Sequence, residues 1–309
     1  MQSLGQGCTD NGLPFALGAQ LWSVQQPLLH FGTPEQIQAF MPGLISGENI
    51  GCFAITEPNS GSDAFAIETT ATRDGDDYIL NGKKVMITLA PVANVAIIFA
   101  VTNPDAGLWG LSAFLVNTDS QKLTRSDNRP KMGLRTVPFG DITLDNVRVP
   151  CTSLLGGEGA GAAIFNDSQR WERCLVLAPQ IGALRRLIQE TVAFAAGHKR
   201  AGAAIGEHKS ISHRIANMRI SLEASSLMLE KCSLLLDQNR QCQLEAAIAK
   251  TFISESFLKA CQDAVAIHGG AGFLTDSEIE RHMRDAVGAT LYGGTVDIQR
   301  NIIAGLTGL

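Results

Sequence analysis

The sequence predicts an α+β protein in which helical regions at both ends flank an antiparallel β domain. Apolar residues fit one face of an amphipathic helix over residues 12–31. From Gly51 to Pro150, short β-branched and aromatic runs alternate with turn residues, and after Gly156 a helical pattern continues to the end of the chain. A chain of 309 residues is too long for a single hydrophobic core, so several domains are expected. The changes of pattern predict domains at residues 1–50, 51–155 and 156–309.

The second helix of the amino-terminal region has a clear start signal. Thr33 is a typical N-cap, Pro34 occupies the first helical position, and Gln36 completes a capping box. The helix is expected to end near Pro42 or Gly47, since proline and glycine both interrupt helices.

The β region is predicted to consist of hairpins. The dipeptide Asn81-Gly82 separates two apolar runs and is expected to form a hairpin turn. No helical pattern lies between the strands, which argues against a doubly wound parallel sheet.

The carboxyl-terminal region is predicted to be a bundle of long helices. Ile211, Ile215, Met218 and Leu222 recur at the spacing of a buried helix face. Pro179 is expected to kink or interrupt its helix.

The composition narrows the classes of function. A net charge of -5 with 18% charged residues predicts neither a nucleic-acid-binding surface nor a disordered acidic tail. No Lys or Arg precedes Arg73, and the apolar run near 92–101 is too short to span a bilayer, so we expect a cytoplasmic protein without a membrane partner. The seven cysteines show no C-x-x-C spacing, so no metal site is expected.

The segment Thr56–Asp63 follows the apolar run Cys52–Ile55 and contains a Gly-Ser-Asp turn. Exposed backbone N–H groups and hydroxyls in such a turn can bind a ring carbonyl or phosphate oxygens. A turn of this composition also occurs without any ligand, so the segment alone does not decide between the two interpretations.

Five stretches in order resemble motifs of the acyl-CoA dehydrogenase family. They are Thr56–Asp63 (T-E-P-x-x-G-S-D), Asn81–Thr88 (N-G-x-K-x-x-I-T), Ile267–Phe273 (G-G-x-G-F), Arg284–Ala286 (R-D-A) and Tyr292–Arg300 (Y-x-G-T-x-x-I-Q-R). The resemblance implies a partial amino-terminal helical domain that lacks its first helices, a middle β domain and a carboxyl-terminal four-helix bundle.

The resemblance also implies that the cofactor is FAD. The residues implied to line the isoalloxazine ring are Phe53, Ile55, Thr56, Met86 and Thr88. Residues implied to lie near other parts of a flavin are Gly61 and Ser62 at phosphate groups, Thr295 and Asp297 at the last helix, and Gly269, Gly270, His198 and Arg200 beside the FAD of a neighbouring subunit.

The family's reaction needs a base beside a thioester carbonyl while a hydride leaves to the flavin. In many family members the base follows the Tyr of the Y-x-G-T stretch, where this chain has Gly293. A branch of the family carries its base on a bundle helix, and the stretch Trp171–Ala178 resembles that branch in its spacing to Gly182. Glu172 is therefore the predicted base. A glutamate beside an arginine on a helix is otherwise a typical solvated charge pair.

The substrate implied by the resemblance is a thioester on CoA or on a carrier protein. Further stretches, such as Ala90–Val92 and Gly159–Phe165, are similar to dehydrogenases that oxidise carrier-bound aminoacyl groups such as prolyl. The residues predicted to contact substrate are Ser62, Arg173, Gly293 and Gly294. The implied partners are an acyl-CoA or an acyl or aminoacyl carrier protein, a homodimer or homotetramer, and electron-transfer flavoprotein or oxygen as electron acceptor.

Several positions depart from the family pattern. Met86 stands where an aromatic ring often covers the flavin, and His198, Arg200 and Ala201 replace a common Arg-x-x-Phe arrangement. Arg200 can supply the missing positive charge from a shifted position. These changes leave an alternative open, namely a flavin-poor, non-catalytic family subunit that serves as an assembly partner.

Overall fold

The computed structural model describes all 309 residues and divides them into two compact units. The helical unit contains Met1–Phe15, Lys131–Thr136 and Arg173–Leu309, and the sheet unit contains Ala16–Pro130 and Val137–Glu172. The three-domain division at residues 50 and 155 stays a prediction.

The sheet unit is built on one eight-stranded sheet. Its strands are β1 (Gly51–Ala54), β2 (Thr70–Asp74), β3 (Asp77–Thr88), β4 (Val95–Val101), β5 (Leu111–Asn117), β6 (Leu123–Arg125), β7 (Phe139–Pro150) and β8 (Leu154–Leu155). The order is β6-β7-β3-β2-β4-β5-β8, and β1 pairs with β4. The pairs are antiparallel, as predicted, except that β1 and β2 both run parallel to β4.

The predicted turn at Asn81-Gly82 is wrong. Both residues lie inside the twelve-residue strand β3, and the hairpin that joins β2 to β3 closes at Asp74 and Asp77 instead. The pairing of β3 with β7 shifts register between Leu80 and Gly82. A Cβ at Gly82 would lie 2.3 Å from Oγ1 of Thr69, so this glycine is required by a close approach within the sheet.

Helices of the amino-terminal half cover the sheet. They are α2 (Gly12–Gln20), a π-helical turn (Leu21–Gln25), α3 (Gln26–Phe31) and α4 (Pro34–Ser46). In α4 the predicted capping box of Thr33 and Gln36 is present, and Gly47 ends the helix with φ of 80°. Core residues Val24, Leu28 and Leu44 from these helices pack with the nearly fully buried strands β4 and β5.

The helical unit is a bundle of long helices, as the sequence predicted. Its elements are α1 (Gln2–Gly7), α6 (Ala178–Gly197), β9 (Lys199–Arg200), β10 (Ala203–Ala204), α7 (Lys209–Asp237), α8 (Gln243–His268), α9 (Gly270–Phe273), α10 (Glu278–Ala289) and α11 (Val296–Leu306). The remaining helix, α5 (Gly161–Leu175), is divided between the units after Glu172. Pro179 lies in the first turn of α6 and separates it from α5, as expected. None of the helices combines the length and apolarity needed to span a bilayer.

A buried histidine makes the helical unit sensitive to acid. His282 is fully buried, and Asn11 Nδ2 donates to its Nδ1 at 3.1 Å, which identifies the ring as neutral. Burial, followed by the charges of Arg186 and Arg281, lowers the pKa of His282 to about 3. Below its ordinary pKa of 6.5 the unfolded chain binds a proton that the folded chain does not, so the free energy of unfolding decreases as the pH falls from 6.5 towards 3.

We expect His282→Gln to flatten this dependence, because Gln can accept the Asn11 hydrogen bond without titrating. One proton changes the free energy of unfolding by up to about 1.4 kcal/mol per pH unit. The loss between pH 6.5 and 4.5, measured by urea unfolding followed by circular dichroism, should be about 2 kcal/mol larger in the unsubstituted protein. Parallel pH curves for the two proteins would show that His282 is not the responsible group.

Candidate active site

The carboxylate of Glu172 is held by two hydrogen-bond donors within the sheet unit. Ser23 Oγ donates to Glu172 Oε2 at 3.0 Å, and Gln169 Nε2 donates to the same oxygen at 2.9 Å. Ser23 and Gln169 are 6% exposed, whereas Glu172 is half-buried. Hydrogen bonds from two buried side chains therefore hold the Glu172 carboxylate, and its role as the base stays a prediction.

Helix α5 connects Glu172 to the predicted flavin-lining strand. Phe165 on α5 stacks on Phe53 of β1 with ring centroids 6.4 Å apart and contacts Phe65 at 5.2 Å. Glu172 follows Phe165 by seven residues, which is two helical turns on the same face and roughly 10 Å along the axis. The structure thus brings Glu172 and Phe53 to one side of α5.

Two tryptophans lie beside these groups. Trp22 and Trp171 stack with centroids 6.1 Å apart and an interplanar angle of 11°. Both indole Nε1 atoms are buried and have no hydrogen-bond partner. Buried donors without a partner are uncommon in folded proteins, and a bound ligand or water is one way in which they are satisfied.

The predicted flavin-lining residues that follow β1 also lie close to those on β3. The carbonyl of Thr56 accepts a hydrogen bond from Val85 N at 2.9 Å, which brings Thr56 next to Met86. Met86 has φ of 57° at a register shift of β3, and its side chain is half exposed. Asp141 Oδ1 accepts from Met86 N at 3.2 Å and stabilises this left-handed backbone. Ile55 is buried, and Thr88 is half-buried at the end of β3.

A buried ion pair lies next to the Thr56 segment. Lys84 is fully buried and donates to Glu57 Oε1 at 2.6 Å and to the Ile55 carbonyl at 3.3 Å. Glu57 also accepts from the backbone N–H groups of Glu68 and Thr69, at 2.6 and 3.0 Å. Burial lowers the pKa of Lys84 to about 8, although the negative charge of Glu57 acts in the opposite direction and raises it. Burial raises the pKa of Glu57, but Lys84 and the other donors outweigh it and lower that pKa overall. The pair ties the Thr56 segment to β3.

The turn after Glu57 is exposed and open. Ser60 Oγ donates to the carbonyl of Asp63 at 2.6 Å and closes the turn. Gly61 and Ser62 are exposed, and a Cβ added to Gly61 would meet nothing within 4 Å. An exposed turn of this kind can offer backbone N–H groups and a hydroxyl to a ligand, and this role stays a prediction.

In the helical unit, the predicted residues near the last helix form one loop. Gly293 and Gly294 have φ of 63° and 84°, and the fully buried Lys250 donates to the Gly294 carbonyl at 2.7 Å. Thr295 caps α11 through its Oγ1, which accepts from Ile298 N at 3.3 Å, and Asp297 is exposed in the first turn. The capping bond leaves the Thr295 hydroxyl proton available as a donor.

A second group of predicted residues surrounds Phe194. The rings of His198 and His268 both stack on the ring of Phe194, with centroids 3.7 and 4.0 Å from that of Phe194. His268 Nε2 is buried and has no partner, and burial followed by the charge of His198 lowers the pKa of His268. The adjacent Gly269 and Gly270 are exposed, and an added Cβ on either would meet nothing within 4 Å. Arg200 is exposed on β9, and Arg173 is half-buried near the end of α5.

Sequence reasoning missed Ser23, Gln169, Lys84 and His268 as site residues. The signal for Ser23 was faint, because it is a single serine in the apolar run Leu21–Val24. Lys84 lies within the motif Asn81–Thr88, and the alternation of side chains along a strand places it on the opposite face from Lys83.

Comparisons with known proteins identify the family. Profiles of the acyl-CoA dehydrogenase middle and C-terminal domains match residues 52–147 and 159–306. The L-prolyl-[peptidyl-carrier protein] dehydrogenase of Pseudomonas fluorescens is 39% identical over 305 residues, which cover 98% of this chain and 80% of that protein.

Solved structures agree with this result. The crystal structure of the prolyl acyl carrier protein oxidase AnaB matches with a TM-score of 0.98 and 41% identity, over 100% of this chain and 82% of that one. PigA with FAD and proline matches with a TM-score of 0.97 and 38% identity, over 100% and 80% of the two chains. The family and the fold that the sequence motifs predicted are thus confirmed, and the chain belongs to the acyl-CoA dehydrogenase family.

Proposed function

We propose that this chain is an FAD-dependent dehydrogenase that oxidises an acyl or aminoacyl thioester, with Glu172 as the base. The observation that carries the proposal is the Glu172 carboxylate, which Ser23 and Gln169 hold on the helix whose Phe165 packs against Phe53. Family membership supplies the reaction type. The Glu172 carboxylate supplies a candidate base, which is needed because the position of the base in many family members is Gly293 in this chain.

The residues assigned to FAD fit a flavin dinucleotide. Met86 presents a half-exposed thioether beside Thr56, which suits one face of a planar ring. The open Gly61-Ser62 turn and the unpaired Nε2 of His268 beside Gly269 suit phosphate oxygens. In the proposed assignment Phe53, Ile55 and Thr88 complete the ring contacts, and Thr295, Asp297, His198, Arg200 and Gly270 contact the remainder of a bound FAD or that of a second subunit.

Glu172 removes the proton from the carbon next to the thioester carbonyl, and a double bond forms between that carbon and its neighbour as the neighbour loses a hydride. FAD, when bound, supplies the two-electron acceptor for that hydride. Ser23 and Gln169 keep one carboxylate oxygen in place, and Trp22 and Trp171 exclude water from one side. The proposed substrate contacts are Ser62, Arg173, Gly293 and Gly294.

Within this reaction class, we infer a prolyl or similar aminoacyl group on a carrier protein as the substrate. The support is the similarity to a prolyl-carrier dehydrogenase and to the prolyl carrier oxidase AnaB. Oxygen is the acceptor that an oxidase relative suggests, and an electron-transfer flavoprotein is the acceptor that the family motifs imply. Assembly as a homodimer or homotetramer is part of the same proposal, since His198, Gly269 and Gly270 are assigned to a neighbouring subunit's FAD.

The test is to purify the chain, measure its FAD content and mix it without oxygen with a prolyl-loaded peptidyl carrier protein. We expect about one FAD per chain and loss of the flavin absorbance near 450 nm within about a second or less, because this half-reaction is at least as fast as a typical turnover of about 1–1,000 per second. Butyryl-CoA serves as the competing substrate, and the acceptor is identified by adding oxygen or electron-transfer flavoprotein to the bleached enzyme. A colourless protein that does not take up added FAD would favour the non-catalytic alternative.

A further inference from the structure

The helix that carries Ser23 is interrupted by a π-helical turn over Leu21–Gln25, between α2 and α3. A π-turn inserts an extra residue into the helical repeat and changes the direction of the side chains that follow it. Such turns are rare in proteins and occur frequently at functional sites. In this chain the turn lies in a continuous helical segment whose sequence pattern is otherwise that of an ordinary amphipathic helix.

Contacts with α4, β1 and the core of the sheet unit fix the conformation of the turn. Gln20 Nε2, from the residue before the turn, and Gln25 Nε2, from its last residue, both donate to the carbonyl of Leu44, at 2.8 and 2.7 Å. Gln20 Oε1 accepts from Gly51 N at 3.1 Å, which attaches the same flank to the start of β1. Val24 within the turn is 1% exposed and belongs to the core of the sheet unit. The two ends of the turn and the Val24 side chain are therefore held by the rest of the sheet unit.

Trp22 and Ser23 of the turn contact α5 at Trp171 and Glu172. Trp22 stacks on Trp171, and the next residue, Ser23, donates to the next residue of α5, Glu172, at 3.0 Å. Two consecutive residues of the turn thus contact two consecutive residues of α5. Gln169 donates to the same Glu172 oxygen from within α5, whereas Ser23 donates from another helix.

We propose that Ser23, presented by the π-helical turn Leu21–Gln25, is a positioning residue that sets the orientation of the Glu172 carboxylate for proton removal. This inference rests on the proposed role of Glu172 and adds to it the element that determines the geometry of the base. Ser23 acts through Glu172 and not on the substrate. A serine in this place supplies a hydrogen-bond donor that is small enough to remain buried beside Val24. Its hydroxyl stays protonated and neutral, so it does not replace Glu172 as the base.

The expected effect of Ser23→Ala is a fall of about 10- to 100-fold in the rate of flavin reduction, because a misplacement of about 1 Å at a reacting group costs about that much. The Michaelis constant for prolyl-loaded carrier protein should change less than about twofold, since only the transition state uses the oriented carboxylate. Gln169 retains one bond to the carboxylate, so the variant should keep measurable activity. Ser225→Ala on α7 is the control, because Ser225 is likewise a buried helix serine but its Oγ has no partner to lose.

The experiment measures flavin reduction without oxygen in four FAD-loaded proteins: unsubstituted, Ser23→Ala, Glu172→Gln and the double variant. If Ser23 acts through Glu172, the double variant should be no slower than Glu172→Gln alone, within about twofold. The binding of prolyl-loaded carrier protein to Glu172→Gln, followed by the flavin spectrum, should be unaffected by adding Ser23→Ala. Circular dichroism and the FAD content of Ser23→Ala should equal those of Ser225→Ala.

Two results would overturn the inference: an unchanged rate in Ser23→Ala, or a further fall in the double variant as large as in the single one. The second result would place Ser23 on the substrate or the fold instead of on Glu172. A Glu172→Gln protein with full activity is a different outcome, because it removes the proposed base and with it the need for a positioning residue. The single and double variants therefore separate failure of this inference from failure of the proposed function.

Discussion

Glu172→Gln is expected to reduce the rate of flavin reduction by prolyl-loaded carrier protein by about 10³-fold, within the range that a general base contributes. The amide has nearly the shape of the carboxylate and can accept the hydrogen bonds of Ser23 and Gln169 through its oxygen, but it cannot take up a proton at neutral pH. The fold and the cofactor contacts should therefore persist while proton removal fails. Stopped-flow absorbance without oxygen measures the rate.

The control for this prediction is Glu230→Gln, which makes the same chemical change at an exposed position of α7. It should leave the rate unchanged, and both variants should bind FAD as the unsubstituted protein does. A Glu172→Gln protein that bleaches its flavin within about threefold of the normal rate would exclude Glu172 as the base, since such a small change is below any general-base contribution.

The elements that sequence predicted well are those whose signals are local. Thr33, Gln36 and Gly47 define α4 because a capping box and a left-handed C-cap involve only neighbours in the chain, and the structure contains both. Pro179 separates two helices for an equally local reason. The family motifs worked in the same way, because each is a short contiguous stretch.

The elements that sequence predicted poorly depend on distant partners. Asn81-Gly82 has the composition of a hairpin turn, but the approach of Thr69 and the pairing with β7 make it an irregularity inside a long strand. Ser23 and Glu172 lie 149 positions apart in the chain, and no spacing rule connects them. The π-helical turn that presents Ser23 to Glu172 could not be predicted either, because helices are recognised in a sequence by a period of 3.6 residues.

The second large effect is expected in stability, from Lys84→Met. Lys84 is fully buried, so its removal leaves the Glu57 carboxylate in a buried place without its cation. Loss of one partner of a buried ion pair costs about 3–5 kcal/mol. The Ile55 carbonyl also loses a donor, and this carbonyl adjoins Thr56 at the proposed flavin edge. We therefore expect weaker FAD binding together with a lower free energy of unfolding.

Tryptophan fluorescence can follow this change in urea, because Trp22, Trp109 and Trp171 all belong to the sheet unit. Lys83→Met is the matched control: the neighbouring side chain is 52% exposed, and its loss should change the free energy of unfolding by less than about 0.5 kcal/mol. Adding Glu57→Gln to Lys84→Met removes the unpaired charge and should recover about 2 kcal/mol, since the penalty comes from the isolated carboxylate and not from the missing attraction. Equal stabilities of the single and double variants would mean that Glu57 takes up a proton or water when Lys84 is absent, and that the isolated carboxylate is not the source of the lost stability.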